Sequence, residues 1–148
     1  MRDRIIQKWV DKILENYPIK PVIEIVQYVN DAASKIVDNV LDLLNGKSNE
    51  IIGDPIDDLM RFLATDRSRS PGESIKLIID LKFIIANELN LEIGDRMRLY
   101  EILDKFAFKA FDYYMQSREK IFELRLKEKE RELEITRRII EFAEKAKF

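Results

Sequence analysis

Residues 95–148 read DRMRLYEILDKFAFKAFDYYMQSREKIFELRLKEKERELEITRRIIEFAEKAKF, with neither glycine nor proline after Gly94. Those two residues most often end helices, so the stretch predicts one continuous rod. At about 1.5 Å rise per residue, roughly fifty residues span about 75–80 Å. A compact domain of about a hundred residues has a radius of gyration of about 13 Å, so the rod reaches well beyond its domain. A helix that outgrows its domain joins it to something else: a second copy, a downstream module or a partner.

The rod changes character along its length. Leu99, Ile102, Leu103, Phe106, Ala107, Ala110, Phe111, Tyr114 and Met115 follow a helical period and are expected to face a core. From Ser117 onward the chain is rich in charge. There Phe122, Leu126, Lys129, Leu133, Thr136, Ile140 and Ala143 alternate four and three apart, a heptad seam with polar interruptions. Glu123 with Lys127, Glu134 with Arg138 and Glu141 with Lys145 are favourable pairs four apart, each worth about 0.2–0.5 kcal/mol. Such small terms leave the segment marginal without a partner. The expectation is a helical domain over residues 1–116 and an extended coiled-coil helix over 117–148. Phe122, Leu126, Leu133 and Ile140 are then the candidate dimer interface; a solvated single helix is the alternative.

Working back toward the start, Ser70-Pro71-Gly72-Glu73 has the form of a capping box with proline in the first turn. It opens IKLIIDLKFIIANEL (75–89), apolar on most faces and therefore expected in the middle of the domain. Asp54-Pro55 repeats the cap-then-proline pattern for a short helix to about Ala64. Val22 to Leu44 keeps helical spacing up to Asn45-Gly46, as one helix or as two divided at Asn30-Asp31. Residues 19–29 are also rich enough in β-branched side chains to read as a strand. Residues 2–16 predict a first helix, stopped by Pro18.

Composition removes several function classes. The chain has no histidine and no cysteine, which excludes disulfides, thiolate metal sites, the usual haem ligand, Glu-x-x-His di-iron sites and the common nucleophile–histidine triads. With 26 basic against 28 acidic residues it lacks the excess of a nucleic-acid binder. No uncharged apolar run approaches the roughly 18–20 residues that span a bilayer, and MRDRIIQKWVDK is too charged for a signal peptide. A cytoplasmic protein without cofactor, nucleic-acid partner or membrane is expected.

Few residues offer chemistry. Met115 or Tyr113 could reach a haem iron in principle, but both read more naturally as core and rim of an amphipathic helix. Asp54, Asp57 and Asp58 share one helical turn; their spacing is not that of a calcium loop, and carboxylates there suit the helix dipole. Arg67 and Arg69 beside Arg61 could grip an anion, or form a solvated loop. Lys82 is the odd residue on the most apolar helix. Either it snorkels to the surface, or it faces a polar pocket with Asp80 nearby, which makes the second reading of this chain a small-ligand-binding helical protein.

Several of these pieces occur in a telling order: Trp9 with Ile13-Leu14 and Tyr17-Pro18; DDLMRFLA at 57–64; Ser70-Pro71 opening a helix with Leu81-Lys82; and FDYYMQSREKIFELR from Phe111. Together they cover most of residues 5–126 and resemble the N-terminal domain of the RsbT co-antagonist proteins, the RsbRD type of stressosome-related sensor. Residues 27–33 depart from that pattern in lacking an Asn-Pro turn. The resemblance implies an all-α, globin-like, non-haem bundle that dimerises through its terminal helix. It further implies signal transduction in a stress response, with a homodimer and a signalling protein as partners and no catalytic residues.

Overall fold

The computed structural model describes residues 1–15, 17 and 21–146. They form five helices: α1 (Arg2–Leu14), α2 (Ile23–Leu44), α3 (Gly53–Ala64), α4 (Pro71–Leu89) and α5 (Ile93–Ala146). Among the described residues there is no strand, and the chain is an all-α bundle with a long terminal helix. The Pro18 stop and residues 19 and 20 of the strand-or-helix reading lie outside the described residues; from Ile23 the chain is helical. No break occurs at Asn30-Asp31, because Val29, Ala32, Ala33, Ile36 and Val37 continue a buried stripe through it.

The body is layered around α4 and the first half of α5. α4 buries Leu77, Ile78, Leu81, Ile85 and Ala86 between α1 on one side and α5 on the other. The indole N–H of Trp9, itself wholly buried, donates to the Leu77 carbonyl at 2.8 Å and ties α1 to α4. α5 contributes Leu99, Leu103, Phe106, Ala107, Ala110 and Tyr114, packed mainly on α3 and α4. Phe111, expected in the core, is instead half exposed on the outer side of α5.

The helix ends follow local chemistry. Ser70 Oγ accepts from the Glu73 backbone N–H at 3.2 Å, the first half of the expected box. α4 ends at Asn90 in the left-handed region, and Gly46 (φ 72°) turns the chain after α2. Asp54 does not cap α3, which starts one residue earlier, at Gly53 behind Ile52. The α2–α3 loop is held instead by Asn39, nearly fully buried: its amide donates to the Glu50 carbonyl at 3.0 Å and accepts from the Ile52 N–H at 2.9 Å. Both satisfied ends of that side chain explain how a polar group sits in the core.

The last buried residue of α5 is Tyr114; from residue 126 to 146 every residue is exposed. The helix is unbroken across 116–117 and 54 residues long, about 81 Å at 1.5 Å per residue. The 21 residues from 126 to 146 stand clear of the body.

Candidate functional site: the two faces of the terminal helix

On a helix turning roughly 100° per residue, positions three and four apart share a face. The face of α5 that points away from the body carries Ile93, Met97, Phe108 and Phe111, all exposed. Beyond the body the same face carries Phe122, Leu126, Leu133 and Ile140, which are 66, 48, 72 and 53% exposed. The candidate interface residues are thus the outer end of one stripe that runs along the helix from Ile93. Sequence reasoning found only its distal part. The signal for the rest is the same three-and-four spacing continued upstream, where Phe111 faces outward, while Met115 packs partly against the core as its spacing predicts.

The opposite face begins as the core face. After Tyr114 its positions continue through Ile121 and Leu124 to Ile135, Ile139 and Phe142. Leu124, Ile135, Ile139 and Phe142 are 59, 49, 63 and 75% exposed, because no part of the body reaches that far. Exposed apolar surface of this extent is uncommon on a monomer and marks contact with another molecule. Between the faces lie charges, of which Arg138 bonds Glu134 at 2.9 Å and Arg137 approaches Glu141 at 4.0 Å. Glu123 with Lys127 and Glu141 with Lys145 are absent from the ion pairs of the described residues.

Lys82 and Asp80 point to different sides of α4. Lys82 Nζ bonds Asp104 of α5 at 2.8 Å and lies 5.0 Å from the centre of the Tyr100 ring, so its charge is paired and its stem covered. Phe83, half exposed, meets Tyr100 edge-on at 5.9 Å. Asp104 belongs to the outer face of α5, between Met97 and Phe108, so the Lys82 pair is set into the outer apolar stripe. Asp80 points the other way, into a groove of about 280 Å³ shared with Lys12, Asp66, Arg69, Glu73 and Lys76. That groove is also lined by Glu15, so it holds three cations against four carboxylates, which compensate one another and favour neither sign of ligand.

The remaining candidates are occupied structurally. Arg69 is buried; its carbonyl accepts from Tyr114 Oη and from the Arg118 guanidinium, both at 3.3 Å, fixing the α3–α4 loop on α5. Asp66 is held below the usual carboxylate range, chiefly because the Ser68 hydroxyl and then its N–H donate to it against the cost of burial. Arg61 is bound by Asp57 at 2.7 Å rather than joining Arg67 and Arg69. The Tyr28 hydroxyl donates to the Asp58 carbonyl at 3.0 Å, and burial together with the Asp58 charge raises its pKa. Tyr113 packs against Gly53 at the start of α3. Among the described residues no group of three or more acidic side chains is placed to hold a metal, and no helix is long and apolar enough to cross a membrane.

No family model matches the chain, and no solved structure matches it. Its similarity to a protein of Archaeoglobus fulgidus described as an uncharacterized protein is extensive: 50% identity over 145 residues, covering 98% of this chain and 95% of that one. The match therefore takes in the body and the projecting half of α5 together. The chain belongs to the same family as that archaeal protein.

Proposed function

We propose that this chain is a non-catalytic, cytoplasmic sensory or protein-interaction module that forms a parallel homodimer along the outer face of α5. The observation that carries the reading is continuity: one apolar stripe, from Ile93 to Ile140, runs without change of face from the body onto the projecting helix. A parallel, in-register pair covers both parts of it at once and sets the two bodies side by side at the same end.

Charge favours the same orientation. In the heptad that places Leu126, Leu133 and Ile140 at a positions, the flanks of a parallel pair bring Arg125 to the partner's Glu130 and Glu132 to the partner's Arg137. An antiparallel pair overlapping fully would set the row Glu123, Glu130, Arg137 and Glu144 against itself, leaving Glu123 and Glu144 to meet each other twice without a cation. The interface is isologous and closes with two copies. The Lys82–Asp104 pair would lie between the two bodies, where a shift of α4 against α5 alters the packing of both outer stripes. A signal acting on the body can thereby bias two arrangements of the stalk. The ordered Trp9, Ser70-Pro71 and Phe111 segments support a stress-signalling sensor of the RsbRD type, with a signalling protein as the reader.

Sedimentation of the full chain tests this reading. The unchanged protein is expected to run as a dimer. Leu126→Glu with Leu133→Glu is expected to give a monomer whose body keeps its thermal transition. A monomeric parent protein, or an unchanged mass in the double variant, overturns the dimer through this face.

A further inference from the structure

The inner face of α5 beyond Tyr114 lies on the far side of the helix from the proposed dimer seam, so a dimer leaves it open. Leu124, Ile135, Ile139 and Phe142 prolong the very face that α3 and α4 cover within the body. Along one edge of it runs a basic row: Lys120, Lys127, Arg131, Arg138 and Lys145, spaced four and seven apart. Beyond that row, away from the apolar face, Glu119, Glu123, Glu130, Glu134 and Glu141 form a separate acidic row. The other edge of the face carries no comparable row; it mixes Arg125, Glu132, Thr136 and Ala143. Only Arg138 of the basic row is engaged in an ion pair of the described residues.

This pattern discriminates among occupants. A second copy laid antiparallel on this face would oppose the basic row with itself. A copy laid parallel would put Arg131 opposite the partner's Thr136 and Arg138 opposite the partner's Ala143, with no carboxylate to meet either. An anionic membrane suits it no better, for residues 117–146 hold nine cations against eight carboxylates, with Glu128 inside the apolar face itself. An amphipathic helix with an acidic edge satisfies both features, filling the apolar face and neutralising the row.

We propose that the inner face of α5 from Ile121 to Phe142 docks an amphipathic α-helix of another protein, one bearing an aliphatic stripe edged by Glu or Asp. The docked helix continues the body's core outward, taking over from α3 and α4 where they end. This surface is distinct from the dimer seam and does not depend on it.

The probes are two labelled synthetic helices with the same Leu/Ile stripe, one edged with Glu and one with Lys, titrated with the full chain at low salt. Saturable binding of the Glu-edged helix is expected, with the Lys-edged one weaker by about tenfold or more. Ile135→Glu with Ile139→Glu is expected to abolish that binding and to leave the oligomeric mass unchanged, whereas Leu126→Glu with Leu133→Glu lowers the mass and leaves binding intact. Failure of the Glu-edged helix to bind, equal binding of both helices, or insensitivity to the Ile135/Ile139 change overturns the proposal. A fall in mass on changing Ile135 and Ile139 also overturns it, since a second copy would then be the occupant. Binding of the chain to phosphatidylserine vesicles through this face would do the same in favour of a lipid surface.

Discussion

The two halves of α5 share one backbone and one helical period, yet they are stabilised in opposite ways. Up to Tyr114 the helix has a covered face, Leu99, Leu103, Phe106, Ala110 and Tyr114, and an open one. After residue 126 it has two open apolar faces and no covered one. The body half is held by burial within its own chain. The projecting half has only pairwise terms such as Arg138–Glu134, worth a few tenths of a kcal/mol each on an exposed helix. A segment with no core of its own and apolar residues on two sides draws its stability from other molecules. The comparison predicts that substitutions in the body change folding, while equivalent ones in the projection change association.

The largest effect expected is on Trp9. Its ring is fully buried between α1 and α4 and its N–H bonds the Leu77 carbonyl at 2.8 Å. Trp9→Ala removes both and leaves an orphaned buried carbonyl, at a cost of about 3–5 kcal/mol. Phe142→Ala, an equally drastic trimming of a side chain 75% exposed, should stay within about 0.5 kcal/mol for the body's own unfolding. Chemical denaturation followed by tryptophan-independent circular dichroism compares the two. Equal effects would erase the distinction between the halves.

The helices were legible because the apolar periods are long and the punctuation is strong: Ser70-Pro71 before α4, Asn45-Gly46 after α2, and nothing after Gly94. What stayed hidden depends on neighbours distant in sequence. Lys82 finds Asp104, twenty-two positions on, and no spacing rule links them. Asn39 reads as one more polar position on an amphipathic helix until the loop at Glu50 and Ile52 folds over it. The inner face beyond Tyr114 was present in the spacing of Leu124, Ile135, Ile139 and Phe142. Its spacing is broken by Glu128 and runs beside the more regular heptad seam that starts from Phe122.

Gly53 sharpens the comparison at the seam between body and projection. A Cβ there would stand 2.2 Å from the Tyr113 hydroxyl oxygen and 3.3 Å from the ring carbon that bears it. Gly53→Ala must displace the Tyr113 ring or move α3 off α5, an overpacking cost of up to about 1–3 kcal/mol. Removing the hydroxyl by Tyr113→Phe should recover part of it, so the double variant is expected to be more stable than Gly53→Ala alone. Thermal melts of the four proteins of that cycle measure the coupling, and strict additivity would mean that the contact is relieved elsewhere. By contrast, Gly94, near the start of α5, has open space where its Cβ would be, and its replacement by Ala relieves no clash and creates none.

The smallest effect concerns acid, and it too should be confined to the body. Glu88 on α4 is held below its ordinary value of 4.5, first by the hydrogen bond from Lys8 and then by the charges of Lys8 and Arg4 on α1. Asp66 is likewise lowered, by its bonds from Ser68. A carboxyl whose pKa is depressed on folding adds stability that is full above its unfolded value and vanishes as the pH falls through the folded one. The body should therefore melt at a constant temperature from neutrality down to about pH 5 and lose stability below that as these groups take up protons. Glu88→Gln should flatten the acid limb of that curve slightly, because one of the two groups no longer titrates while the α1–α4 contact is already weakened at neutral pH. An acid limb unchanged by Glu88→Gln would show that the Lys8–Glu88 bridge adds nothing to holding α1 on α4, leaving Trp9 to do so with the apolar residues around it.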